Sequence, residues 1–214
     1  MNGARARILA KLRSAQLTAR LPVADSPHDR PEPARGSTQE CIDRFRAELT
    51  ALGVDCYLEG SAEGLRRRVV TLVDGRRILS WDPDLLPYGL GSLVGSATLG
   101  QNVRKRQAEA EVGLTGCDAA IAETGSLVLL SGKGKSRAIS LLPPLHVAVV
   151  QPKDFCFSMG EFFQTHAERV AASASCTFVT GPSRTADIEL TLTLGVHGPG
   201  KVIVLIGPGS ESGK

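Results

Sequence analysis

Six short apolar runs crowd the second half of this 214-residue chain, at 119–122, 126–130, 146–150, 176–179, 188–194 and 202–206. Each has the length and aliphatic character of a strand rather than the 3.6-residue rhythm of a surface helix. A helical stretch, 158–172, separates the third run from the fourth. The first half adds to the alternation with helices over 37–52 and near 61–73, and short strands at 54–58 and 76–81. Strands that alternate with helices are joined by crossovers, and crossovers lay helices on the faces of a parallel sheet. The expected class is therefore α/β, with a mixed, largely parallel sheet and helices on both faces. The short connections at 122–126 and 195–201 are expected to be hairpins at its margin.

The start of the chain is different. Ile8, Leu9, Leu12 and Leu17 have roughly helical spacing over 4–19, and the helix should stop before Pro22. Four of the twelve prolines, Pro22, Pro27, Pro31 and Pro33, then fall among charged residues between 21 and 37. This stretch reads as a linker, which predicts an arm over 1–36 and a single α/β domain over 37–214. Ser37-Thr38-Gln39-Glu40 has the form of a capping box opening the next helix, and Gly53 is placed to end it.

Composition removes several functional classes. With 42% hydrophobic and 22% charged residues and no apolar run of transmembrane length, the chain is expected to be globular and cytoplasmic, with no membrane span. The net charge is only +3, and the clusters Arg66-Arg67-Arg68, Arg76-Arg77 and Arg104-Lys105-Arg106 read as solvated faces. Nine aromatic residues give little to stack bases on, so no nucleic-acid partner is expected. The five cysteines, at 41, 56, 117, 156 and 176, have no zinc or iron–sulfur spacing and read as reduced thiols; no metal site is expected. Gly89-x-Gly91 lacks both a preceding strand and a third glycine, and Gly134-Lys135-Ser136 has Leu129 where a phosphate-binding loop needs glycine. His28, His146 and His166 each have an ordinary structural explanation.

Two segments and one turn carry chemistry. In the stretch 115–130 a carboxylate, Glu123, a hydroxyl, Thr124, and a glycine, Gly125, stand between two apolar strands. Burial of Glu123 would raise its pKa and suit it to acid–base or nucleophilic work, and Gly125 would let backbone approach a ligand; a tight turn with Glu123 in solvent is the alternative. In Gly181-Pro182-Ser183-Arg184-Thr185-Ala186-Asp187 a rigid turn offers hydroxyls around an arginine. That arrangement suits a carboxylate or phosphate, with an Asp187–Arg184 pair closing the turn as the alternative. Gly195-Val196-His197-Gly198-Pro199-Gly200 holds His197 in a bend, either as a titrating group near neutral pH or as a structural turn residue. Strand ends are where ligands sit in such folds, so the loops after Ala122, Val150 and Val179 are the places to look.

Ala-Ile-Ala-Glu-Thr-Gly-Ser-Leu-Val-Leu at 120–129, Gly-Pro-Ser-Arg-Thr-Ala-Asp-Ile-Glu at 181–189 and Gly-Val-His-Gly-Pro at 195–199 resemble, in this order, the signatures of the lactate-utilisation (LUD) domain family. The resemblance implies a subunit of a bacterial system that oxidises L-lactate to pyruvate, working with iron–sulfur partner proteins. It also implies a fold similar to the CoA-transferase and ribose-phosphate isomerase group. Removing two electrons from lactate needs a redox cofactor, and the sequence shows no dinucleotide fingerprint and no cluster-forming cysteines. The expectation is a chain without its own cofactor that binds the small hydroxy or keto acid: Arg184 with Ser183 and Thr185 at the carboxylate, Thr124, Gly125 and Asp187 as further substrate-binding residues, Glu123 or His197 at the hydroxyl proton. A non-catalytic structural subunit, and an autonomous CoA-transferase-like enzyme using Glu123 with Lys133, Lys135 and Arg137 on phosphates, stand as alternatives.

Overall fold

The computed structural model describes residues 2–18, 32–95, 97–100, 104–185 and 193–209. Contacts divide the chain into two compact units, Met1–Glu32 and Pro33–Lys214. The first contains helix α1, Asn2–Thr18, whose Ile8, Leu12 and Leu17 are exposed. The second carries all the described strands.

Its elements follow in order: α2 Thr38–Ala51, β1 Asp55–Leu58, α3 Ala62–Val73, β2 Ile78–Ser80, β3 Thr98–Leu99, α4 Arg104–Ala108, β4 Val112–Thr115, β5 Ala119–Ile121 and β6 Ser126–Ser131. Then come α5 Ala138–Leu141, β7 Leu145–Val150, β8 Phe155–Cys156, α6 Met159–Ala172, β9 Ser175–Val179, β10 Arg184–Thr185, β11 Thr193–Leu194 and β12 Lys201–Ile206. The predicted capping box at Ser37 is present, with both the Ser37 side chain and the Glu40 carboxylate bonded to backbone N–H groups.

Six strands form one sheet in the order β1-β12-β7-β4-β2-β3, with every described pairing parallel. The α/β class is as expected from the sequence, but the antiparallel pairings lie outside this sheet, in a separate four-stranded sheet, β8-β5-β6-β9, and in the two-stranded β10-β11. The connection at 122–126 is the expected hairpin between β5 and β6. That at 195–201 is not. β12 runs parallel between β1 and β7 in the interior of the large sheet, and β11 pairs with β10 instead. The reason is apolar character on both faces of β12, which only a doubly covered parallel strand can bury. Of the predicted strand at 188–194, residues 188–192 lie outside the described residues.

The side chains of β7 and β12 divide by parity. Leu145, Val147, Val149, Ile203 and Leu205 pack with Leu65, Val69 and Val73 of α3 and Ile139 of α5. Ala148, Val150, Val202, Val204 and Ile206 face the other way, onto Ile42, Phe45 and Leu49 of α2 together with Ala120, Ala122 and Leu127 of the small sheet. The opposite face of the small sheet, through Ile121, Val128 and Leu130, covers Phe162 of α6. Buried apolar surface on both faces of both sheets, at about 25 cal/mol per Å², is the main force holding these layers together.

Candidate functional site

β2, β4 and β7 are neighbours in the large sheet and end on the same side. Their carboxyl ends run into Trp81, into Gly116-Cys117-Asp118 and into Gln151-Pro152-Lys153-Asp154, and these segments line a cleft of about 340 Å³. Lys135 enters from the loop after β6, and His166 and Arg169 enter from α6. Of the three loops singled out in the sequence, the one after Val150 supplies part of this cleft.

Asp118 organises it. The residue is 5% exposed, and its Oδ1 lies 2.7 Å from both Lys135 Nζ and Arg169 Nη2. Leu130 N–H donates to Oδ2 at 2.9 Å, so the carboxylate extends the β5–β6 ladder by one side-chain bond. A carboxylate this dry is stable only when its lone pairs are answered, and here two cations and an amide answer them. Lys135 also stands 4.4 Å from the centroid of the Trp81 ring, a cation–π contact that fixes its stem. It is delivered by a tight turn in which Gly132 and Lys135 exchange backbone bonds. Gly134 in that turn has φ +75, and a Cβ there would stand 2.7 Å from Leu85 and 2.8 Å from the Asp82 carboxylate. Only glycine satisfies both demands.

Lys135, Lys153 and Arg169 face two carboxylates, Asp118 and Asp154, which leaves the cleft with a single net positive charge when His166 is neutral. Burial holds the Asp154 carboxyl above its usual range, against the opposing pull of the Gln151 N–H and of Lys153. Burial, reinforced by Arg169, holds His166 below the ordinary histidine value. Burial also drives the Cys117 thiol upward, so it stands in the cleft as a thiol, not a thiolate nucleophile. The site can hold a monoanion against an indole wall, with proton-carrying groups beside it.

The residues proposed from the sequence lie elsewhere. Glu123 is exposed rather than buried, because Oε1 accepts the Met159 N–H at 2.7 Å at the open end of α6. Gly125, at φ +65, presses onto Glu48 and Leu49 of α2. Thr124 donates to Ser126, whose hydroxyl lies 2.6 Å from that of Thr180. Arg184 is exposed and donates to the Leu52 carbonyl just past α2. The backbone of Ser183 bonds to Pro199 and Gly195 and so holds the turn that carries the exposed His197. Thr185 is buried in the β10–β11 pair. Asp187 lies outside the described residues.

Thus the structure brings Gly125 and Arg184 to the end of α2, while Thr124 joins Ser126 and Thr180, Ser183 holds the His197 turn and Glu123 caps α6. None of them lines the 340 Å³ cleft. The cleft residues Trp81, Asp118, Gln151, Lys153, Asp154, His166 and Arg169 were missed as site residues. Asp118 sits within the segment singled out in the sequence, and Lys135 within its basic loop; Trp81 and Arg169 gave no signal.

A family model described as LUD domain matches residues 96–206. Lactate utilization protein C of Geobacillus sp. (strain WCH70) is 32% identical over 191 residues, 79% of either chain. Lactate utilization protein C of Bacillus subtilis (strain 168) is 32% identical over 164 residues, 69% of this chain and 68% of that one. Among solved structures, a DUF162 family protein from Deinococcus radiodurans superposes with a TM-score of 0.64 at 22% identity, over 80% of this chain and 99% of that chain, a likeness of fold.

Proposed function

The chain belongs to the LUD domain family, and from that membership we propose that it takes part in lactate utilisation, holding a small carboxylate in the cleft ordered by Asp118. Its named relatives support the process. The site is supported by one observation above others: a nearly dry carboxylate fixing Lys135 and Arg169 off the carboxyl ends of three adjacent parallel strands. Cations preorganised in this way grip an anion without the entropy of ordering them at the moment of binding. The single positive excess suits a monocarboxylate such as lactate or pyruvate better than a dianion. The two electrons of lactate oxidation are assigned to iron–sulfur partner proteins, and this chain to binding and orienting the acid without a redox cofactor of its own.

Titration calorimetry with L-lactate and pyruvate tests the site. Lys135→Ala should weaken binding by roughly ten- to a hundredfold, the worth of one charge-assisted hydrogen bond. Arg184→Ala should leave it unchanged. The reverse pattern would return the carboxylate to the 181–187 turn, and full lactate-dependent growth of cells carrying Lys135→Ala would favour a structural subunit.

A further inference from the structure

His166 lies on α6 one turn before Arg169, and both line the cleft. Its ring stacks on Phe162 with centroids 5.1 Å apart, which fixes the ring plane. Nδ1 lies 2.7 Å from Thr165 Oγ1. The hydroxyl of Thr165 has one proton, and Oγ1 lies 2.8 Å from the Glu161 carbonyl, one helical turn back, and 3.4 Å from that of Phe162. With that proton on a helix carbonyl, the short contact between Oγ1 and Nδ1 is made with a proton from the ring, and Nδ1 is the protonated nitrogen of the neutral imidazole. In that tautomer Nε2 has a lone pair and no N–H.

We propose that His166 Nε2 is the acceptor for the 2-hydroxyl of a 2-hydroxy acid whose carboxylate is held by Lys135, Lys153 and Arg169, and that it makes the cleft select the hydroxy acid over the corresponding keto acid. This rests on the reading of the cleft as the carboxylate site. The logic is one of matched donors and acceptors. A hydroxy acid brings an O–H to a lone pair, whereas a keto acid brings a second lone pair and leaves Nε2 unpaired. The other groups on the cleft are arranged for the anion. Asp118 already accepts from its two cations and the Leu130 N–H, and one oxygen of Asp154 accepts the Gln151 N–H.

The selectivity is therefore tied to the protonation of His166. The titratable and charged groups that share its cleft are Arg169 on its own helix, Cys117 and Asp118 on the loop after β4, Lys135 on the loop after β6, and Lys153 and Asp154 after β7. Protonated His166 donates from both nitrogens, so Nε2 then favours the keto oxygen. The preference for the hydroxy acid should fade as the pH falls below the ordinary histidine value.

The test is calorimetric binding of L-lactate, pyruvate and propionate to the full chain. Propionate has the carboxylate but no hydroxyl, so it reports the anion grip alone, including any titration of Asp154. L-lactate should bind about three- to tenfold more tightly than propionate or pyruvate at neutral pH. His166→Phe, which keeps the stack on Phe162, should abolish that ratio and leave propionate affinity within about twofold. Thr165→Val, which frees the tautomer, should shrink the ratio without removing it. An unchanged ratio in His166→Phe, with propionate binding still lost in Lys135→Ala, would overturn the acceptor role while keeping the cleft. Propionate and lactate binding that is absent, or indifferent to Lys135→Ala, would overturn both.

Discussion

Asp118 and His146 are two polar side chains drawn into the interior for different ends. Removing the Asp118 charge strips Lys135 and Arg169 of their shared partner and leaves the Leu130 N–H without its acceptor. Asp118→Ala should therefore lower stability by about 1.5–3 kcal/mol, read from the urea midpoint. His146 is fully buried, with Nε2 2.9 Å from Thr115 Oγ1 and Nδ1 without a partner, and desolvation holds its pKa down at about 4. In the unfolded chain it titrates near 6.5, so between these values the unfolded state binds a proton that the folded state refuses. Stability should fall as the pH is lowered through that window, by roughly 3 kcal/mol. A stability curve that stays level there, or one that His146→Leu does not flatten, would contradict this. Residue identity in the sequence marked neither residue out. Asp118 looked like one more carboxylate before a strand and His146 like a strand-start histidine, since burial and partnership are supplied by the fold.

Elements show more of what the chain announces in advance. The capping box at Ser37, the helices at 37–52, 61–73 and 158–172, and most of the apolar strands were legible because each carries a local cap or a run of the right length. β4 escaped because Val112–Thr115 is only four residues long, contains Gly113, and is made a strand by β2 and β7 on either side. The motif segments read as chemistry fasten elements together. Gly125→Ala would force a side chain into φ +65 with its Cβ 2.9 Å from Glu48 Cβ, and should cost more than about 1 kcal/mol. Ser158 accepts the Glu161 N–H at the start of α6 and donates to Ala34, so Ser158→Ala should cost about 1 kcal/mol in thermal or urea unfolding. Neither change touches the cleft, and ligand affinity should survive both.

At the scale of the molecule, the two sheets and the helices around them bring three strand ends, one turn and one helix face to a common point. Those five segments span Trp81 to Arg169, nearly ninety positions of sequence. No window of sequence contains the site, which is why its parts read as ordinary when taken singly, whereas the α/β class, set by repeated local patterns, did not hide. Among the described residues no helix is long and apolar enough to cross a membrane.

The most direct test of the cleft as the carboxylate site is a residue-by-residue map of L-lactate binding by amide chemical-shift changes in the labelled chain. Saturable shifts confined to Asp118, Lys135, Gln151, Asp154 and Arg169 and their neighbours are the expected result. Shifts centred instead on Glu123, Thr124, Arg184 and His197, with the cleft amides unmoved, would contradict it.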